Sequence, residues 1–170
     1  IASLAGLTWW TLRRLGKLAG TAATAEPAAA AFEARVAALR AHYAARPPVR
    51  VFYQIAERPL LTINSGHLID DVLGVCGGRN VFAGLPVLTP MVSPEAVMAA
   101  DPEAIVTAGG EAGNEMGFAT WAKLPSMTAT RRHNFVLLDS DTISRQSGRI
   151  LEGATTLCEQ LERVRSRRGS

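Results

Sequence analysis

The chain has 170 residues, 48% of them apolar, 19% charged and 6% aromatic, with 18 basic against 15 acidic side chains for a net charge of +3. This composition excludes a disordered tail or a fibre, and a chain of this length buries roughly 70% of the surface its unfolded form exposes, so a core forms without a structural metal. No stretch reaches the roughly 18 consecutive apolar residues of a membrane helix, and the basic excess, concentrated in Arg163, Arg165, Arg167 and Arg168, reads as a solvated end, not a nucleic-acid footprint.

Ile1 stands inside an apolar pattern without an initiator methionine, and the apolar segment 1–12 is followed by Arg13, Arg14 and Lys17, where a signal peptide carries its charge first. The expectation is a piece of a longer precursor. Within residues 4–19, Leu12, Leu15 and Leu18 recur at helical spacing and Gly20 supplies a stop. Thr24 is the expected cap of a long helix over about 25–45, in which Phe32, Val36, Leu39 and Tyr43 form one apolar stripe. Pro47 and Pro48 end it, and residues 49–55, rich in β-branched and aromatic side chains, predict a buried strand.

The Asn64-Ser65-Gly66 cluster opens a helix carrying Leu68, Ile69, Val72, Leu73 and Cys76, closed by Gly77 and Gly78. Ser93-Pro94-Glu95 combines a capping hydroxyl, a first-turn proline and a first-turn acid, predicting a helix over 94–100. Residues 104–107 predict a second strand, the Gly109-Gly110 turn leads to a weaker helical stretch with Met116, Phe118 and Trp121, and residues 134–138 predict a third strand. Ser147 is the expected cap of a last helix with Ile150, Ala154, Leu157, Leu161 and Val164 on one stripe and Leu151 and Cys158 on another. Strands alternating with helices imply an α/β fold with a mainly parallel sheet and helices on both faces, whose ligands lie beyond the carboxyl ends of the strands.

Among chemistry-bearing residues, His42, His67 and His133 show no paired spacing, so neither a metal triad nor a nucleophile–base pair is visible, and no phosphate-binding loop of the Walker type is present. His67 reads equally as a helix-start residue and as a ligand contact. Cys76 and Cys158, on apolar stripes of separate helices, read either as two buried thiols or as a bonded pair. Glu95 is explained by the helix dipole or by docking of a partner arginine. Asp139, Asp141 and Arg145 read as a loop salt bridge or as a polar clamp on a ligand.

Four runs then carry a family resemblance: Val51-Phe52-Tyr53-Gln54 after the long helix, Val75-Cys76-Gly77-Gly78-Arg79-Asn80-Val81-Phe82, Val92-Ser93-Pro94-Glu95-Ala96-Val97, and Asp101-Pro102-Glu103-Ala104-Ile105-Val106. Their order and spacing, with residues 141–150 and Cys158 continuing the match, resemble the C-terminal half of the cobalamin-binding periplasmic proteins, within the group that serves importers of cobalamin, haem and ferric siderophores. The resemblance covers roughly residues 12–163. It implies a two-lobed binding protein in which residues 1–24 end the N-terminal lobe, 25–46 form the connecting helix and 47–170 the C-terminal lobe, the rest of the N-terminal lobe and the export signal lying outside this chain.

The resemblance further implies that the protein is no enzyme and needs no cofactor, cobalamin or a related corrinoid being transported cargo. It implies that Glu95 docks on an ABC permease, that Cys76 and Cys158 form a disulfide, and that Asp141 and Arg145 line the ligand cleft of a periplasmic or lipid-anchored protein. One departure stands out: where the cobalamin binders place an aromatic six residues before the docking glutamate, this chain has Thr89, leaving Leu60, Leu61 and Met91 as replacement apolar surface. Haem or a ferric siderophore is therefore the alternative cargo. A flavodoxin-like α/β enzyme or nucleotide-binding domain using the Gly109-Gly110 turn is the rival from another class, and self-association through an uncovered Trp9 and Trp10 region is the expectation for a chain lacking its other lobe.

Overall fold

The computed structural model describes residues 14–109, 116–143 and 149–169. Residues 14–18 are helical, with Leu15 and Leu18 exposed, and the remainder of the expected first helix, including Trp9 and Trp10, lies outside the described residues. The long helix α1 (Ala22–Tyr43) starts earlier than its sequence suggests. The amides of Thr24 and Ala25 both donate to the Thr21 carbonyl, so Thr21 takes the cap position, without a side-chain cap bond, and Thr24 lies inside the helix. Ala29, Phe32, Val36 and Tyr43 are buried, spaced so that one face meets the rest of the molecule.

The chain continues through β1 (Val49–Gln54), a short ribbon of β2 (Ala56–Glu57) and β3 (Leu60–Leu61), α2 (Leu68–Val75), β4 (Gly78–Asn80), α3 (Pro94–Ala100) and β5 (Ala104–Gly109). It closes with α4 (Met116–Ala122), α5 (Thr128–Arg131), β6 (Phe135–Asp139), α6 (Ser140–Ile143) and α7 (Ile150–Ser166), followed by a 3-10 turn, Arg167–Gly169. Four strands form a parallel sheet in the order β4-β1-β5-β6. Sequence alone marks only three of them. Gly77 and Gly78 do stop α2, but the chain straightens at once, so Gly78, Arg79 and Asn80 pair with Val49, Arg50 and Val51.

Strand alternation divides the core. Val49, Val51, Tyr53, Ala104, Val106, Val136 and Leu138 face the layer of α1, α2 and α7. Phe52 and Ile105 face the other layer, packing with Val97, Trp121, Met127 and Ala129, and the Phe52 and Trp121 rings meet edge-on at 5.6 Å. The first layer is cross-linked: Cys76 at the end of α2 is bonded to Cys158 in α7, with Cα atoms 4.6 Å apart.

Of the closing arginine run only Arg163 stands as a plain exposed cation; Arg165, Arg167 and Arg168 are tied into the fold. Arg165 is only 8% exposed and donates to the carbonyls of Pro47 at 2.8 Å and Cys76 at 2.7 Å and to Glu162 at 3.0 Å. The Arg168 guanidinium makes two 2.8 Å bonds to the Glu103 carboxylate, and Arg167 donates to the Asn134 side chain at 3.1 Å. Pro47, Glu103 and Asn134 all precede strands, so these cations tie α7 to the amino ends of the sheet. Arg149 occupies the cap position of α7 without a side-chain cap bond, while Ser147, the expected cap, lies outside the described residues.

Candidate ligand cleft at the carboxyl ends of β1 and β5

The connection leaving β1 turns toward β4 and the one leaving β5 turns toward β6, so the topological switch point lies between β1 and β5, where α/β sheets open a crevice for ligands. At its base the buried Gln54 amide oxygen accepts the Trp121 indole N–H at 2.6 Å, and the amide nitrogen donates to the Gly117 carbonyl at 3.1 Å. Thr107 Oγ1 donates to the Gln54 carbonyl at 2.9 Å, and Thr62 Oγ1 to that of Tyr53 at 2.7 Å. These polar groups satisfy one another, so they position the loops above them and leave little to offer a ligand.

Above this base, residues 60–65 carry a second extended segment. Val92 N donates to Leu60 O, Thr62 N to Pro90 O, Asn64 N to Leu88 O and Ser65 N to Ala83 O, and Leu61 and Met91 form an antiparallel bridge. Asn64 reinforces the pairing by donating from Nδ2 to the Leu85 carbonyl at 2.9 Å while its Oδ1 accepts from Gly66 N at 2.8 Å. Asn80 acts likewise below, bonding Ile63 O and Phe82 N. The result is a braced lip on which Val87, Leu88 and Met91 are 58, 51 and 70% exposed, with Thr89 exposed among them. Sequence reasoning missed Val87 and Leu88, although an apolar run bracketed by Pro86 and Pro90 was a legible sign.

The residues singled out from sequence separate here. Met91 and Thr89 stand on the lip; Leu61 is half-buried beneath it; Leu60, 9% exposed, belongs to the core beside Phe52 and Trp121. Asp141 is exposed in the first turn of α6, its amide donating to Asp139 Oδ1 at 2.8 Å. Arg145 and most of the turn after Gly109 lie outside the described residues. Glu95 is exposed on α3, where Ser93 Oγ accepts the Ala96 amide at 3.2 Å. Hydrogen bonds from its own amide and from Ser93 hold the Glu95 carboxyl below the usual glutamate range, so it is anionic at neutral pH.

His67 caps α2, its Nδ1 accepting the Ile69 amide at 3.2 Å, which fixes the neutral tautomer with the proton on Nε2. Burial pushes its pKa down against the pull of Asp70, whereas burial pushes Asp70 up against its bond to Asn80. The ring is thus spent on the helix start. Among the described residues no three His, Cys, Asp or Glu side chains converge to hold a metal ion.

A parallel sheet preceded by a long helix, with a topological switch point and an exposed apolar lip beside it, defines a class, and residues 10–142 match the model of the periplasmic binding protein family, to which this chain belongs. Within it the chain is similar to particular proteins of known cargo: the vitamin B12-binding protein of Salmonella typhimurium (strain LT2), 37% identical over 155 residues covering 91% of this chain and 56% of the relative, and that of Vibrio cholerae serotype O1 (strain ATCC 39541), 32% identical over 137 residues covering 81% and 49%. The crystal structure of the periplasmic vitamin B12 binding protein BtuF of Vibrio cholerae superposes with a TM-score of 0.86 at 29% identity, covering 96% of this chain and 63% of that one. The periplasmic heme-binding protein RhuT of Roseiflexus sp. RS-1 shares the fold, with a TM-score of 0.81 at 23% identity, covering 95% and 64%. The chain therefore spans about half the length of the curated relatives it matches.

Proposed function

We propose that this chain is the C-terminal lobe and connecting helix of the substrate-binding component of an ABC importer, which captures cobalamin or a related corrinoid between two lobes and delivers it to the membrane permease. The observation that carries this reading is the braced apolar lip of Val87, Leu88 and Met91 at the switch point, since a large flat ligand is held mainly by burial of its faces. Vitamin B12-binding relatives from two genera support corrin over other cargo. In this reading residues 1–24 end the N-terminal lobe, 25–46 connect, and 47–170 form the lobe that supplies the lip together with Asp141 and Arg145 as polar contacts.

Glu95 docks on an arginine of the permease, and the lobe carries out no chemistry of its own. The Cys76–Cys158 bond suits an oxidising compartment and so supports the periplasm as the place of work. Taken alone, the lobe self-associates through apolar surface that includes Leu15 and Leu18, 59 and 83% exposed, and gel filtration at two concentrations tests this.

The deciding experiment titrates the full-length protein with cyanocobalamin, haemin and a ferric siderophore, read by tryptophan quenching and calorimetry. Saturable one-to-one binding of cyanocobalamin alone is the expected result. Binding of haemin or the siderophore instead keeps the importer and changes the cargo, and binding of none overturns the reading.

A further inference from the structure

Glu57, Arg58, Leu60, Pro94, Thr120 and Trp121 enclose a niche of about 130 Å³ where the β2–β3 ribbon meets α3 and α4. That is well below the roughly 300–1,000 Å³ of small-molecule pockets, so it suits a single side chain and not a cargo molecule. Its lining holds a carboxylate already oriented for a partner. Thr120 Oγ1 donates to Glu57 Oε1 at 2.8 Å, and among the described residues nothing engages the other oxygen. Leu60 and Trp121 give the apolar part of the lining, and since the indole N–H is spent on Gln54 it brings no competing donor into the niche. Pro94 immediately precedes Glu95, so the niche and the Glu95 carboxylate open on adjoining surface.

We propose that this niche is a socket for an arginine side chain of the membrane permease, a second docking point beside Glu95. A guanidinium fits better than an ammonium because it is planar and weakly hydrated, lies against apolar or aromatic surface, and pairs with a carboxylate through a fixed fork. Arg58, exposed on the lip of the niche, adds a sign requirement: the entering arginine is flanked on its own surface by an acidic residue. The socket rests on the docking reading of Glu95, and the test separates the two.

Full-length protein and its cognate permease in nanodiscs are compared by surface binding for wild type, Glu57→Gln, Thr120→Val and Glu95→Gln, with cyanocobalamin affinity measured in parallel. Glu57→Gln is expected to weaken permease binding about tenfold and to flatten its salt dependence, Thr120→Val to weaken it by less because the carboxylate stays but is no longer oriented, and all three to keep cyanocobalamin affinity. If Glu57→Gln and Thr120→Val bind the permease like wild type while Glu95→Gln does not, the socket is wrong and docking by Glu95 stands. If none of the three weakens binding, both fall. Loss of cyanocobalamin affinity in Glu57→Gln would assign the niche to the cargo cleft and overturn the socket.

Discussion

The Arg165 guanidinium donates from one nitrogen to the carbonyls of both Cys76, at 2.7 Å, and Gly77, at 3.2 Å, while Cys76 itself is bonded to Cys158 two turns earlier on the same helix. The turn after α2 is thus fastened to α7 twice, once covalently and once by charge. Arg165 also lies over the Tyr43 ring, 5.9 Å from its centroid, and bonds Pro47 O, so the last turn of α1 is held by the same side chain. In the proposed two-lobed protein this fastening makes the connecting helix and the lobe one rigid unit.

Arg165→Met should therefore destabilise the lobe by about 1–3 kcal/mol, because it leaves the buried Cys76 carbonyl without its donor and removes a bond from the carbonyls of Pro47 and Gly77, the latter keeping the Val49 amide. Gly77→Ala should act on the same contact, since Gly77 has φ +68 and an added Cβ would sit 2.7 Å from the Arg165 Nη2. Urea midpoints of the two single variants and the double variant check this. The double variant is expected to lose less than the sum, because the clash disappears with the arginine.

Reduction of Cys76–Cys158 releases a loop with a sequence separation of 82 residues, for which the chain-entropy relation gives about 4–5 kcal/mol as an upper figure. The paired Cys76→Ala, Cys158→Ala variant is expected to unfold at clearly lower urea, with the wild-type protein in reductant behaving like the variant. An unchanged midpoint would show that Arg165 suffices to hold the turn.

His67 makes stability depend on pH on the acid side of neutrality. Its folded pKa lies below the ordinary 6.5, because burial disfavours the charged ring and Nδ1 is committed to the Ile69 amide. The unfolded chain binds the proton more readily, so this contribution is full above pH 6.5 and is lost as the pH falls from there through the folded value. His67→Asn keeps an N-cap acceptor without a titrating ring and should flatten the stability profile below pH 6.5. Asp70, whose folded pKa is raised, titrates in the opposite sense on the more acidic side, so Asp70→Asn in the same background separates the two.

The parts of the fold written in local pattern are legible in the sequence. The 94–100 helix appears with the expected bounds because Ser93, Pro94 and Glu95 all act within one turn, and α1, β1, β5 and β6 follow from long periodic or apolar runs. What escapes is set by distant partners. β4 is three residues of weak strand propensity that exist as a strand only beside β1, and Arg165 looks like a surface cation until its carbonyl partners, 88 to 118 residues earlier in the chain, are known. The lip escapes for a related reason. Whether Leu60, Leu61, Val87, Leu88 or Met91 faces outward depends on the pairing of 60–65 with 83–92, and a one-residue change of register would reverse the assignment. Cys76 and Cys158 are left open by spacing alone and paired correctly by family resemblance.

The lip gives the sharpest test of cargo. Thr89 is exposed between Leu88 and Met91, and the backbone that carries it is held on both sides by the Asn64–Leu88 and Thr62–Pro90 bonds. A large ring at this position therefore projects from a fixed support and loses little freedom on binding. Thr89→Trp in the full-length protein should tighten cyanocobalamin binding by about tenfold, the effect of some 1.4 kcal/mol of added apolar burial. Leu88→Ser should weaken it by a similar factor, and Asn64→Ala should weaken it without removing any group from the lip, because the segment around Leu85 loses its side-chain brace. Calorimetry on the three variants separates these effects: if Thr89→Trp weakens cyanocobalamin but strengthens haemin, the lip is shaped for the smaller planar ligand and the cargo assignment changes with it.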